Sequence, residues 1–173
     1  SAAASKHSQG PLREALDAVL GRRTMSDLDT RVVIPAFSAS SGDIRLFKTA
    51  HHPHITGDHV RRLVDVALAS SAAPYFFPGH KSDTSERFVD GGIWANDPIA
   101  VAVVEAVGYL NIPASDVRVL SVGTTSAPFH AEASALRGGL LGLLRAQPAE
   151  LLMAAQTAAA HAHAEVLLGG TDR

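Results

Sequence analysis

Arg87-Phe88-Val89-Asp90-Gly91-Gly92-Ile93-Trp94-Ala95-Asn96-Asp97-Pro98 carries the densest local signal in this chain. An apolar strand over residues 87–90 brings a carboxylate, Asp90, to its C-terminal end. Gly91 and Gly92 then let the backbone turn sharply and come close to another group. Pro98 opens a helix expected over residues 99–110, since proline suits a first helical turn. In open α/β sheets ligands gather at the carboxyl ends of strands, and a carboxylate there can orient or deprotonate a nucleophile. The same residues admit a plainer account. Asp90 can cap the turn through the amides that follow it, and Asn96 and Asp97 can cap the helix at Pro98.

Upstream, residues 11–20 read as a helix, with Pro11 in the first turn and Gly21 just past the end. Leu12, Ala15, Leu16, Val19 and Leu20 form its apolar stripe. Residues 30–38 read as a strand whose Pro35 points to an edge position. Residues 44–48 are its hairpin partner across Ser40-Ser41-Gly42-Asp43. A helix is expected over residues 58–70, with Asp58 as cap and Val60, Leu63, Val64, Ala67 and Leu68 facing inward. Pro74 and Pro78 bracket the aromatic segment Tyr75-Phe76-Phe77, and residues 80–86 read as a polar loop. Downstream, the apolar run over residues 117–122 suits a buried central strand ending at Gly123-Thr124-Thr125. Residues 133–144 and 148–168 read as two closing helices. The alternation of strands and helices predicts an α/β class.

Bulk properties narrow the functions. With 173 residues, 46% hydrophobic and 18% charged, the chain has enough apolar material for a core and too little charge for disorder. A net charge of −2 gives no basic excess, so a nucleic-acid polymer is not an expected partner. The absence of cysteine excludes disulfides and Cys-ligated zinc. The start lacks the apolar core of a signal peptide, and no run of about 18 charge-free apolar residues suggests a membrane span. A cytoplasmic location is expected, with action at a membrane surface left open. His51-His52-Pro53-His54 lies in a loop, and His161 and His163 fall on different faces of a helix. No metal site is expected from that spacing. Ser70 and Ser71 lack the strand-to-helix setting of a nucleophile elbow; with Ala72 and Ala73 they read as small residues that permit close packing.

Taken in order, three segments resemble landmarks of the patatin-like phospholipases. They are Ser70-Ser71-Ala72-Ala73-Pro74-Tyr75-Phe76-Phe77-Pro78, the Asp90 segment quoted above, and Leu120-Ser121-Val122-Gly123-Thr124. The resemblance covers residues 10–125, and the tail from Ala127 onward lies outside it. It implies an α/β three-layer sandwich, incomplete here, with helices on both sides of a central sheet. It also implies a serine–aspartate dyad, with the serine in Gly-x-Ser-x-Gly and a glycine-rich loop upstream forming the oxyanion hole. Carried over, Asp90 is the dyad aspartate, which takes the serine proton as general base and later activates water. Gly91, Gly92 and Asn96 support the motif. That scheme requires no histidine and no cofactor.

Departures from the pattern shape the remaining expectations. No Gly-x-Ser-x-Gly occurs in the 173 residues, and no glycine-rich loop precedes Gly10. Asn96-Asp97-Pro98 replaces the family's Asn-Asn-Pro. Residues 1–126 are therefore expected to be the C-terminal part of such a catalytic domain, and 127–173 a helical extension. The serine would come from an N-terminal half, and this stretch alone would be inactive. The implied substrate is a phospholipid or another acyl ester. Some bacterial members resemble effectors of nucleotide-signalled antiphage defence, so a small nucleotide activator and a homo-oligomer are open as partners. Two other readings compete. One is a non-enzymatic nucleotide-binding module using Asp90-Gly91-Gly92 and Gly123-Thr124-Thr125 as phosphate loops, against which Trp94 stands where a small hydroxyl residue would be useful. The other is a purely structural α/β member. Magnesium-dependent ligand binding would mark the first, and activity of the complete protein compared with Asp90→Asn would separate the second from an enzyme.

Overall fold

The computed structural model describes residues 5–123 and 148–170, and the chain divides into two compact units, Ser1–Gly92 and Ile93–Arg173. The helix predicted over residues 133–144, Thr124, Thr125 and the boundary expected after residue 126 lie outside the described residues.

In the first unit the elements are α1 (Gly10–Leu20), a 3₁₀ turn (Met25–Asp27), β1 (Val33–Ser38), β2 (Asp43–Lys48), α2 (Leu63–Ser70), β3 (His80–Lys81) and β4 (Arg87–Asp90). The strands form one sheet in the order β2-β1-β4-β3, every pair antiparallel. With its helices this gives the expected α/β class. The β1–β2 hairpin turns at Gly42, whose φ of 74° lies in the left-handed region that glycine enters without cost.

Register places Ala36, Phe47 and Phe88 on one sheet face, and α2 lays Leu63, Val66 and Ala69 into the same buried cluster. The Phe47 and Phe88 rings meet edge to face, 5.4 Å apart at 69°. Each large side chain buried here contributes roughly 1.5–3 kcal/mol, so this cluster is the main stabiliser of the unit. Arg13–Asp65 joins α1 to α2, and Arg62–Asp17 joins it to the residue before α2, both at 2.9 Å. None of its residues is fully buried and Val19 is exposed, so the predicted stripe is only partly covered.

Four expectations in this unit are corrected. Strand β1 is not an edge; it pairs with both β2 and β4. Helix α2 starts at Leu63 rather than residue 58, with Arg62 in an extended conformation before it (φ −66°, ψ 136°). Val60 is accordingly outside the helix and exposed. Asp58 is not a cap but a buried ionic hub. Its Oδ2 accepts the Lys48 N–H at 3.0 Å, and its Oδ1 meets Arg61 Nε at 3.2 Å and the Arg45 guanidinium. Both guanidinium groups lie over the Phe47 ring, at 5.0 and 5.6 Å. His80, read as a loop residue, is a buried strand residue paired with Phe88.

The second unit contains α3 (Gly92–Ala95), which begins one residue earlier, α4 (Ile99–Val104), a π-helical turn (Glu105–Tyr109), a 3₁₀ turn (Ala114–Asp116) and α5 (Pro148–Leu167). Helix α4 packs against α5, and Val103, Ala160 and Ala164 are buried. The predicted helix after Pro98 is thus present, but its second half widens into the π turn. The predicted strand over residues 117–122 is not. Among the described residues nothing pairs with it, and Leu120 and Val122 are 86% and 83% exposed. A strand buried on both faces needs ladder partners at its edges and cover above and below, which these residues do not supply.

The Asp58 hub generates a prediction. Removing one member of a buried ion pair leaves the others uncompensated. Asp58→Ala is expected to destabilise the protein by roughly 3 kcal/mol, measured by urea unfolding; a midpoint equal to wild type would contradict it.

Candidate active site

Strand β4 ends with Asp90 opposite Ala36 of β1. The next residue explains the glycine. A Cβ on Gly91 would sit 2.3 Å from the Pro35 carbonyl oxygen and 2.5 Å from its carbon, both backbone atoms. Gly91 is therefore demanded by close approach and not by a positive φ. The end of α2 closes the same knot. Ser70 Oγ donates to the Pro35 carbonyl at 2.7 Å, Gly91 N–H to the Ser70 carbonyl at 3.3 Å, and Asp90 N–H to the Ala72 carbonyl at 3.0 Å. Ala69 and Ala72 are buried, so the small residues serve the close packing read from the sequence. Ser70 and Ser71 spend their hydroxyls on backbone carbonyls, Ser71 on Ala67 at 2.7 Å. This also explains how Pro35 survives in a central strand. N–H and C=O of a strand residue point the same way, and the Pro35 carbonyl faces Ser70 and Gly91, where the β4 ladder has ended.

Asp90 is half-buried. Its Oδ1 accepts the Gly92 N–H at 2.7 Å, so the turn-capping role is present, and it fixes the carboxylate's orientation. Among the described residues no donor reaches Oδ2. The amides of Gly91 and Gly92 are both donated internally, which leaves neither for a bound phosphate. Following Ala72, the chain presents Tyr75 and Phe76 outward, 74% and 46% exposed. Tyr75 has φ 75°, a strained backbone for an aromatic residue. Lys6 lies over the Phe76 ring at 5.6 Å.

His80 went unrecognised, because a two-residue strand has no period to read. Its side chain is 4% exposed and its Nε2 lies 3.7 Å from Asp65 Oδ1. Among the described residues Nε2 has no hydrogen-bond partner. Burial lowers its pKa from the usual histidine value, with Asp65 pulling the other way. It borders a 440 Å³ cleft with Arg62 and Asp65, and Asp90 is not on that lining.

In the second unit Asp97 caps α4, accepting the Ile99 N–H on Oδ1 at 3.0 Å, as expected. Its Oδ2 also accepts Ser121 Oγ at 2.9 Å and meets His161 Nε2 at 2.7 Å. A carboxylate only accepts, so Nε2 carries the proton. Burial raises the Asp97 pKa, but the hydrogen bonds from Ser121, Ile99 and His161 outweigh it and hold the group below the usual carboxylate value. Asn96 donates its N–H to Gln156 Oε1 at 2.8 Å and its Nδ2 to Thr157 Oγ1 at 3.2 Å. Sequence reading did not join these groups, although Gln156, Thr157, Ala160, His161 and Ala164 share one helix face by spacing. Among the described residues no group of three or more His, Asp or Glu could hold a metal ion.

The patatin-like phospholipase family model matches residues 2–103. The chain is 34% identical to a cGAMP-activated phospholipase of Escherichia coli over 94% of its own length and 48% of the relative's. It is 36% identical to the Vibrio cholerae protein of that name, over 91% of this chain and 47% of the relative. For the Pseudomonas aeruginosa protein the identity is 41%, over 69% and 36%. The chain thus spans half or less of these relatives. It belongs to the patatin-like phospholipase family.

One mutation tests the knot at residue 91. Gly91→Ala forces a Cβ into backbone that cannot yield, and overpacking of this kind costs roughly 3 kcal/mol or more. The variant is expected to melt well below wild type by circular dichroism; an unchanged melting temperature would remove the close-approach account.

Proposed function

We propose, from that membership, that the protein containing this chain is a lipid acyl hydrolase in which Asp90 is the carboxylate of a serine–aspartate dyad. The observation that carries the reading is the anchoring of Asp90. Its backbone is tied to Ala72, the next residue is wedged against Pro35, and its Oδ1 is held by Gly92. A general base must be held in place before its basicity matters. The Asp-Gly-Gly motif, weak alone, here lies inside the segment matched by the family.

The serine would lie in a Gly-x-Ser-x-Gly element outside these 173 residues. Its Oγ attacks the acyl carbonyl while the proton passes to Asp90. Collapse of the tetrahedral intermediate expels the alcohol, which takes that proton. Asp90 then deprotonates water, which attacks the acyl-serine; the serine Oγ leaves with that proton as the fatty acid is released. The exposed pair Tyr75 and Phe76, on the segment that bonds Asp90, supports an apolar substrate. Aromatic side chains favour a membrane–water boundary. No helix among the described residues is long and apolar enough to cross a membrane. The names of three relatives supply the remaining part of the reading, a small nucleotide such as cGAMP as activator.

In the whole protein, Asp90→Asn keeps an oxygen for the Gly92 amide and removes the base. Ester hydrolysis is expected to fall by about a hundredfold or more, with an unchanged circular dichroism spectrum. A folded variant hydrolysing phospholipid at the wild-type rate would refute the assignment.

A further inference from the structure

Helix α5 is joined to the turn before α4 by polar contacts at both ends of that turn. Gln156 and Thr157 hold Asn96, and His161 holds Asp97. Ser121 and the first amide of α4 converge on the same carboxylate. The turn follows α3, and α3 starts at Gly92, whose amide holds Asp90 Oδ1.

We infer that Asp97 and His161, with Gln156, form a clasp that fixes α5 to the turn before α4, and that the clasp depends on the charge of Asp97.

The groups around Asp97 allow the charge dependence to be assigned. Helix α4 presents no titratable side chain, since Ile99–Val104 is wholly apolar, and Glu105 follows it in the chain. Ser121 contributes a hydroxyl that does not titrate in this range. From α5, His161 touches Asp97, and His163 borders the same 250 Å³ cavity. Asp97 accepts all three bonds only as a carboxylate. Its pKa is lowered in the fold, so its stabilising effect is present above the unfolded value and is lost as pH falls through the folded one. A neutral carboxyl must donate its own proton, and one of the converging donors then loses its acceptor.

Trp94, the one tryptophan of the chain, borders that cavity with Gln156 and Ala160 and so reports how α5 is seated. In the whole protein, the part of the emission that Trp94→Phe removes is expected to change as pH falls through the lowered Asp97 value, while far-ultraviolet circular dichroism still shows helix. Asp97→Asn should abolish this transition and show the emission of the acid form at every pH, because its amide nitrogen cannot accept from His161. His161→Ala should move the transition to higher pH, since a bond favouring the charged form is gone. The clasp is overturned if Asp97→Asn titrates like wild type or His161→Ala leaves the midpoint unmoved.

Discussion

The Pro35 carbonyl and the backbone of Gly91 approach more closely than any side chain would permit, and the first unit is arranged around that contact. It explains a proline in a central strand, because the carbonyl turns toward Ser70 where no ladder bond is required. It explains why α2 ends in small residues, since Ala69 and Ala72 are buried and Ala72 receives the Asp90 amide. It also stops β4 at Asp90. Strand, helix end and loop are thereby fixed to one another with no freedom left for Asp90 to drift.

A second constraint acts on the outer strand of the hairpin, β2. Asp58 is removed from water, so its charge must be met inside the protein. Arg45 from β2, Arg61 and the Lys48 amide meet it, and the two guanidinium groups close over Phe47. Core and ionic hub are therefore one structure: the aromatic ring that anchors the apolar cluster also supports the cations.

Legibility in the sequence followed the range of the interaction. The hairpin, α1, β4 and α5 were readable because period and turn chemistry are local. The Asp90 turn was readable for the same reason, as was the capping by Asp97. Asp58 misled because a carboxylate ahead of an apolar helical stripe looks like a cap, and nothing local reveals that Arg45 will claim it. The run over residues 117–122 misled because its apolarity states a need for partners without providing them. His80 and the meeting of Asp97 with His161 depend on contacts between residues remote in sequence, which no window contains. Proline at position 35 was judged by a rule that holds for a strand paired on both sides of that residue; here the pairing stops one residue away.

The π-helical turn over Glu105–Tyr109 changes the winding at the end of α4. A turn of this kind is an α-helix with one residue too many. The surplus rotates everything after it by about 100° relative to what precedes. The helix expected over residues 99–110 is thus α-helical only as far as Val104. Loss of one residue between 105 and 109 would restore the ordinary winding and swing the Leu110 end of the segment toward new neighbours.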